Sequence, residues 1–507
     1  MNVKSTLIVA VFQFATFCLT LNAQHGISPF WGTQIEIPKA HPDGSARGSV
    51  GNNMVIISDE KIITFFNETY PFPGTSVVIY YTISTDGGNT WTVPELFIPA
   101  SGSPGSCCPN IALDAEDNIH VVWQAKAPLG VYYAKLDSDM NILSDAAMIS
   151  DEVIHEINDV GVSVDRKNRV HVMWHDGDTH ASDHAAEVRY VRSPDGGETW
   201  EAQQTLSDDD GQHSAFARVD FSGAIGDDLA IPWRDSVGPN DWDVVIAVTH
   251  DGGQNWVRKT AAGGSGRQWD PGLIVDKHGY FQLNFHEYPV DDPFLGARVK
   301  VGTSTDFGET WSDFQVISED DRSELTTFNY DYTNDRLWVF WKDERDIIGP
   351  DLMCAYSNDQ GMNWSDAEFL TDQGDDPVGF KGTAVSPNGT LAINYELPTP
   401  STGLSTLFFR KREIITAVNE TFRLEEKGAV IFPNPTAGDF RIELEEPFKD
   451  KVALQIVNSS GQIILEQEVP ENAASISVDL NNNSPGIYVL FIHSTEKILF
   501  KKIALLR

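Results

Sequence analysis

Apolar and polar positions alternate along most of this chain in short runs, broken by turns rich in Gly, Asp and Asn. Ile111-Ala112-Leu113, then Ile119-His120-Val121-Val122-Trp123, then Val188-Arg189-Tyr190-Val191 are runs of this kind. Period-two alternation with β-branched and aromatic residues predicts strands throughout. One octapeptide punctuates them, first as Ser84-Thr85-Asp86-Gly87-Gly88-Asn89-Thr90-Trp91. It returns around Asp195, Asp251, Asp306 and Asp359, each time with Gly two positions on and Trp five positions on. An Asp that accepts local backbone N–H groups, beside a conformationally free Gly, predicts a β-turn, with the Trp folding back as an apolar plug.

The Trp residues of successive copies lie 109, 56, 55 and 53 positions apart. The first interval is close to twice the others, so a decayed copy is expected between them, at Leu136-Asp137-Ser138-Asp139-Met140-Asn141. A period in the low fifties with several short strands per unit predicts propeller blades. Units begin near Arg47, Cys107, His155, His213, Trp269, Glu324 and Pro377, which makes seven blades, with six as the alternative. Thr33-Gln34-Ile35-Glu36-Ile37-Pro38 is a strand without a unit of its own, and it is expected to close the ring and remove an open edge.

These boxes resemble the Asp-box (BNR) repeats of the sialidase-like β-propeller superfamily, over residues 30–413. After a polar linker, residues 414–428, the repeat ends. Residues 429–507 alternate as a small β-sandwich containing Phe432-Pro433-Asn434-Pro435-Thr436, Pro485-Gly486-Ile487-Tyr488 and a basic end at Lys501-Lys502. This module resembles the type A C-terminal sorting domain of the type IX secretion system. Lys4, the apolar stretch from Leu7 to Leu21 and the small residue Ala23 predict a signal peptide over residues 1–23. The fold class is therefore all-β: a propeller, then a sorting sandwich, secreted or attached to the cell surface, with the type IX machinery as an export partner.

Charge narrows the partners. With 36 basic against 74 acidic residues the formal charge is −38, which argues against nucleic acid and against docking on an anionic membrane. No later segment reads as a transmembrane span. Cys18 goes with the leader, which leaves Cys107, Cys108 and Cys354, too few for a disulfide framework. Cys107 and Cys108 read either as a strained vicinal disulfide or as two small side chains in a tight turn.

The box joins a third strand to a fourth, so the opposite face carries the ends of the second strands. There an aromatic is followed by polar groups in every unit: Phe66-Asn67-Glu68, Trp123-Gln124, Trp174-His175-Asp176, Trp233-Arg234-Asp235, Phe285-His286-Glu287, Trp341-Lys342-Asp343 and Tyr395-Glu396. Glycoside cleavage needs a paired acid and base, so Asp176, Asp235, Glu287 and Asp343 are the candidate carboxylates, with His175 and His286 as further acid/base groups. Arg47, Arg234, Arg267 and Arg345 suit a carboxylate-bearing sugar, and Gln124 and Trp269 join them as substrate contacts. A solvated rim is the plainer reading of the same ring. The loop from His175 to His184 holds imidazoles and carboxylates without a zinc spacing, and Asp208-Asp209-Asp210 and Glu319-Asp320-Asp321 offer calcium ligands, with exposed loop charge as the default. No cofactor is called for.

The resemblance implies an Arg-Ile-Pro motif in the first blade and an acid/base Asp shortly after. Here Arg47-Gly48-Ser49 keeps only the Arg, and no Asp stands between Asn67 and Val78. These residues point away from exo-sialidase action. The expected function is a propeller acting on an extracellular glycan, hydrolase-like or lyase-like, with a non-enzymatic glycan- or protein-binding propeller, or a surface scaffold, as the alternatives.

Overall fold

The computed structural model describes residues 28, 30–48, 52–70, 77–97, 106–126, 128–151, 156–177, 185–215, 218–221, 224, 226–264, 266–288, 296–318, 322–344, 350–371, 375, 377–399, 402–412, 423–425, 428–449, 451–458, 463–493 and 497–506. The leader, His155, the loop residues 178–184, the acidic run 319–321 and Arg345 lie outside them, as does most of the linker.

Seven successive units follow one another among the described residues: four are four-stranded antiparallel sheets, the first is a five-stranded sheet, and the fourth and fifth merge into one nine-stranded sheet. The third is representative: Ile157–Val164 innermost, then Val170–Asp176, Glu187–Ser193 and the short outer Gln204–Thr205. The other innermost strands are Met54–Ile56, Cys107–Leu113, Arg218–Asp220, Arg267–Val275, Ser323–Asp331 and Gly379–Val385. Blades 4 and 5 are joined edge to edge, because Arg218–Asp220 pairs in parallel with Gly272-Leu273-Ile274. The ring closes as its edges require: Ile35–Glu36 pairs antiparallel with Phe409 and Phe408, so the first strand of the propeller completes blade 7.

Each Asp box is built by its own short-range chemistry. Asp86 Oδ1 accepts from Thr90 N at 2.8 Å and from Ser84 Oγ at 2.9 Å, while Oδ2 accepts from Thr90 Oγ1 at 2.7 Å. Asp195, Asp306 and Asp359 repeat the scheme. The box also ties neighbouring blades. Trp91 packs edge-on against Phe409 of blade 7, Trp200 against Tyr133 of blade 2 and Trp256 against Tyr190 of blade 3. That packing explains the second glycine: at Gly88, with φ 89°, a Cβ would stand 2.1 Å from Phe409, and at Gly197 it would stand 1.8 Å from the Tyr133 hydroxyl. The decayed copy keeps the turn, since Asp137 Oδ1 accepts from the backbone of Asp139 and Asn141.

The aromatics at the ends of the second strands form the core between blades. Phe66, Trp123, Trp174, Trp233, Phe285, Trp341 and Tyr395 are all buried to 1% exposure or less. Removing any of the Trp side chains would cost about 3–5 kcal/mol.

The C-terminal module is a separate sandwich. A five-stranded sheet, which includes Val452–Val457, Gly486–His493 and Lys497–Leu505, faces a three-stranded one of Ala429–Phe432, Asp439–Leu444 and Ser475–Asp479. Their shared core holds Ile442, Leu454, Ile456, Ile492 and Ile503. Its Glu466 reaches into the propeller, 3.0 Å from Arg336 and 2.9 Å from Arg412, and Arg412 also pairs with Glu368 at 3.0 Å. No helix among the described residues is long and apolar enough to cross a membrane.

Candidate functional site at the channel mouth

Innermost strands from all seven blades enclose a central channel of about 410 Å³. Ile157 pairs with Asp176, so the start of an innermost strand and the end of a second strand lie together, on the face away from the Asp boxes.

At that face the innermost strands share an irregularity. Register shifts separate Cys107 from Asn110, Asn158 from Gly161, Trp269 from Gly272, Glu324 from Thr327 and Phe380 from Gly382. At four of them a non-glycine residue takes the left-handed conformation: Cys108 at φ 63°, Asp159 at 49°, Asp270 at 49° and Leu325 at 51°. A bulge of this kind re-aims a side chain, and each left-handed residue costs about 1–2 kcal/mol that the blade must offset.

Two of these residues are carboxylates, and they meet a cluster of cations. Asp159 lies in the channel wall with its side chain 14% exposed, and its Oδ2 stands 3.8 Å from His175 Nδ1. Burial pushes its carboxyl up to about 6, with Arg218 and Arg234 pulling against that and Asp270 adding to it. Arg234 is 3% exposed and lies over Trp269 at 4.1 Å and Trp242 at 4.8 Å. Burial pushes its guanidinium down to about 10; Asp270 and Asp159 oppose that, while the like charges of Arg267 and Arg218 reinforce it. Around Arg234, then, three guanidiniums face two carboxylates, one of which takes up a proton near pH 6.

Arg267 stacks over Trp269 at 5.0 Å and over Tyr288 at 4.8 Å. His286 is 1% exposed, and burial pushes its imidazole down to about 4, so the ring is neutral at ordinary pH. Its Nδ1 makes no hydrogen bond among the described residues, and neither does Nε of Arg218, which is in the channel wall. The Tyr288 ring lies 5.3 Å from that of His286, and its hydroxyl donates to Glu324 Oε2 at 2.8 Å.

Of the residues expected from sequence, His175, His286, Arg234, Arg267 and Trp269 come together here. The four expected carboxylates are engaged by neighbours within their own blades. Asp176 accepts from Arg189 at 2.8 Å, Asp235 from Ser214 and from Trp233 at 3.1 Å, Glu287 from Lys300 and from Gln268 at 3.3 Å, and Asp343 from Ser323 at 3.1 Å. Arg47 is 56% exposed, 3.8 Å from Glu396, and Gln124 donates to Cys107 Sγ at 2.9 Å. Asp159, Asp270, Arg218 and Tyr288 were not expected. Among the described residues no group of three metal-ligating side chains gathers, and Asp208 of the first acidic run pairs with Arg258.

Residues 126–401 match the family model of the BNR repeat-like domain, which is more than half of the 507 residues. The chain belongs to the BNR repeat-like family. Residues 430–505 of this BNR repeat-like protein match the secretion system C-terminal sorting domain, which implies secretion through that system. No curated protein matches the sequence. Among solved structures the chain is similar to a protein of unknown function from Dyadobacter fermentans, at 13% identity and a TM-score of 0.44, covering 74% of this chain and 100% of that one. A polysaccharide lyase of the ulvan lyase type shares 10% identity with a TM-score of 0.50, covering 72% and 93%. A sialidase from Trypanosoma rangeli shares 11% with a TM-score of 0.44, covering 94% and 88%. These are likenesses of fold.

Proposed function

We propose that this BNR repeat-like propeller acts on an extracellular glycan bearing carboxylates, bound at the channel mouth. The observation that carries the reading is the stacked guanidinium cluster: Arg234, buried, lies over Trp269 at 4.1 Å and Trp242 at 4.8 Å, and Arg267 lies over the same Trp269 at 5.0 Å. Planar guanidiniums suit a carboxylate, which they can hold through paired hydrogen bonds. On a chain whose net charge is −38, such a cationic cluster is the more specific.

The two bulge carboxylates support a reading of cleavage by general acid and base. Asp159, whose carboxyl burial pushes up to about 6, is the acid that protonates the glycosidic oxygen, and Asp270 is the second carboxyl group of the pair. Elimination is the second reading. It is favoured by the neutral imidazole of His286 beside Tyr288 and Arg267, where a base could take a proton next to a carboxylate held by an arginine.

Incubating the purified protein with a panel of uronate-containing, sialylated and neutral glycans separates these readings. New reducing ends without unsaturation mean hydrolysis, and absorbance from unsaturated ends means elimination. Saturable binding without turnover means a binding propeller, and no interaction with any anionic glycan refutes the proposal.

A further inference from the structure

Cys107 and Cys108 open the innermost strand of blade 2, at the bulge equivalent to that of Asp159. Their sulfurs stand 2.8 Å apart, well inside van der Waals contact, against about 2.05 Å for a formed bond. The pair is also held from both sides. Cys108 N donates to Asn67 Oδ1 of blade 1 at 3.1 Å, and Gln124 Nε2 donates to Cys107 Sγ at 2.9 Å and lies 3.6 Å from Cys108 Sγ. Both residues are half-buried, whereas Cys354 is buried in blade 6.

We propose that Cys107 and Cys108 close to a vicinal disulfide in the exported protein, and that this ring forms part of the wall of the anion-binding mouth. The first half stands on the geometry alone; the second rests on the reading given under Proposed function.

The oxidant is an external disulfide, of a small thiol or of an oxidised dithiol protein. The Cys107 thiolate attacks one of its sulfurs and expels a thiolate, leaving a mixed disulfide. The Cys108 sulfur then attacks Cys107 Sγ, its proton passing to solvent, and expels the second thiolate. Two electrons and two protons leave the pair, and the external disulfide becomes two thiols. The first step has a reactive partner, because the hydrogen bond from Cys108 holds the Cys107 thiol down to about 7, with Gln124 and Lys126 helping against burial. An export route keeps such a bond, and a ring between adjacent residues is strained and so reducible.

Closure changes the site. In the dithiol form Cys107 carries a thiolate, and the Cys108 thiol beside it is pushed up by its bond to Cys107, by burial and by the charges of Cys107 and Asp159. In the ring that negative charge is gone and the bulge is locked. The oxidised protein should hold an anionic sugar more tightly, by about three- to tenfold at low salt.

The test begins with the purified full chain, alkylated under denaturing conditions and analysed by mass spectrometry of the peptide carrying residues 107 and 108. The expected result is no alkylation of that peptide, and two alkylated cysteines after reduction. Complete alkylation without reductant, persisting after treatment with oxidised glutathione, overturns the disulfide. Affinity for a galacturonate oligosaccharide is then measured with and without reductant, in the native chain and in the Cys107→Ser/Cys108→Ser double variant. Weaker binding by reduced native protein, with a variant indifferent to reductant, supports the placement at the mouth. Equal binding in both redox states, or a reductant effect that survives in the variant, overturns it. Failure of every form to bind the sugar counts against the proposed function, while the alkylation result still decides the disulfide.

Discussion

Asp159 and Asp270 are one position of the fold repeated two blades apart. Each is the left-handed residue, at φ 49°, in a bulge at the start of an innermost strand. The charge of Asp270 adds to burial in raising the Asp159 carboxyl, while Arg218 and Arg234 pull the other way.

Substituting Asp159→Asn should abolish turnover and stabilise the fold. The carboxyl binds its proton more tightly in the folded state than unfolded, so its contribution is fully present at low pH and is lost as pH rises from about 4 through about 6. Above pH 6 the variant should therefore gain on the order of 2 kcal/mol, and below pH 4 nothing. Thermal melting at pH 3.5 and pH 7.5 measures the difference. A variant equally or less stable at pH 7.5 contradicts the burial cost assigned to this group.

The Asp boxes are on the face away from the site, and they should act on stability alone. Asp359→Ala removes acceptors for Asn363 N at 2.8 Å, Asn363 Nδ2 at 2.7 Å and Ser357 Oγ at 2.8 Å. A loss of about 1–2 kcal/mol is expected, seen as a melting point lower by on the order of 2 °C, with kcat/KM unchanged.

Glu466 joins the sorting domain to the propeller. Although burial works the other way, Arg412 and Arg336 hold its carboxyl down to about 2. The contact should therefore persist until pH falls toward 2, because a depressed carboxylate keeps its contribution above its unfolded value and loses it on the way down. Glu466→Ala leaves two buried guanidiniums short of a partner and should cost about 3–5 kcal/mol at the interface. Limited proteolysis of the segment between the domains should then proceed faster in the variant than in the native chain.

The propeller was legible in the sequence because its determinants are local. Ser84, Asp86, Gly88 and Thr90 bond to one another within seven residues, so each box carries its own turn, and the spacing of Trp200, Trp256, Trp311 and Trp364 counts blades directly. The site was legible only in part. His286, Arg234 and Trp269 follow the aromatic-polar pattern or open a unit, and they do converge. Asp159 and Asp270 escaped because their role depends on a bulge, and a bulge arises from mismatch between two strands rather than from either alone. A signal was present in hindsight: Asn158-Asp159-Val160-Gly161 and Trp269-Asp270-Pro271-Gly272 align at the start of their units. Asp235 and Asp343 misled for the converse reason, since the end of a second strand also offers partners inside the blade, here Ser214 and Ser323.

If the buried arginine cluster serves the proposed function, it exists to receive an anionic sugar. Isothermal titration of the native chain and of Arg234→Gln with a galacturonate oligosaccharide and its neutral galactose counterpart tests it most directly. Saturable binding of the charged sugar alone is expected, weakened about a hundredfold in the variant, as for loss of a buried charge-assisted pair of about 3 kcal/mol. Equal affinity for the two sugars, or a variant that binds the charged one as well as the native chain does, would contradict it.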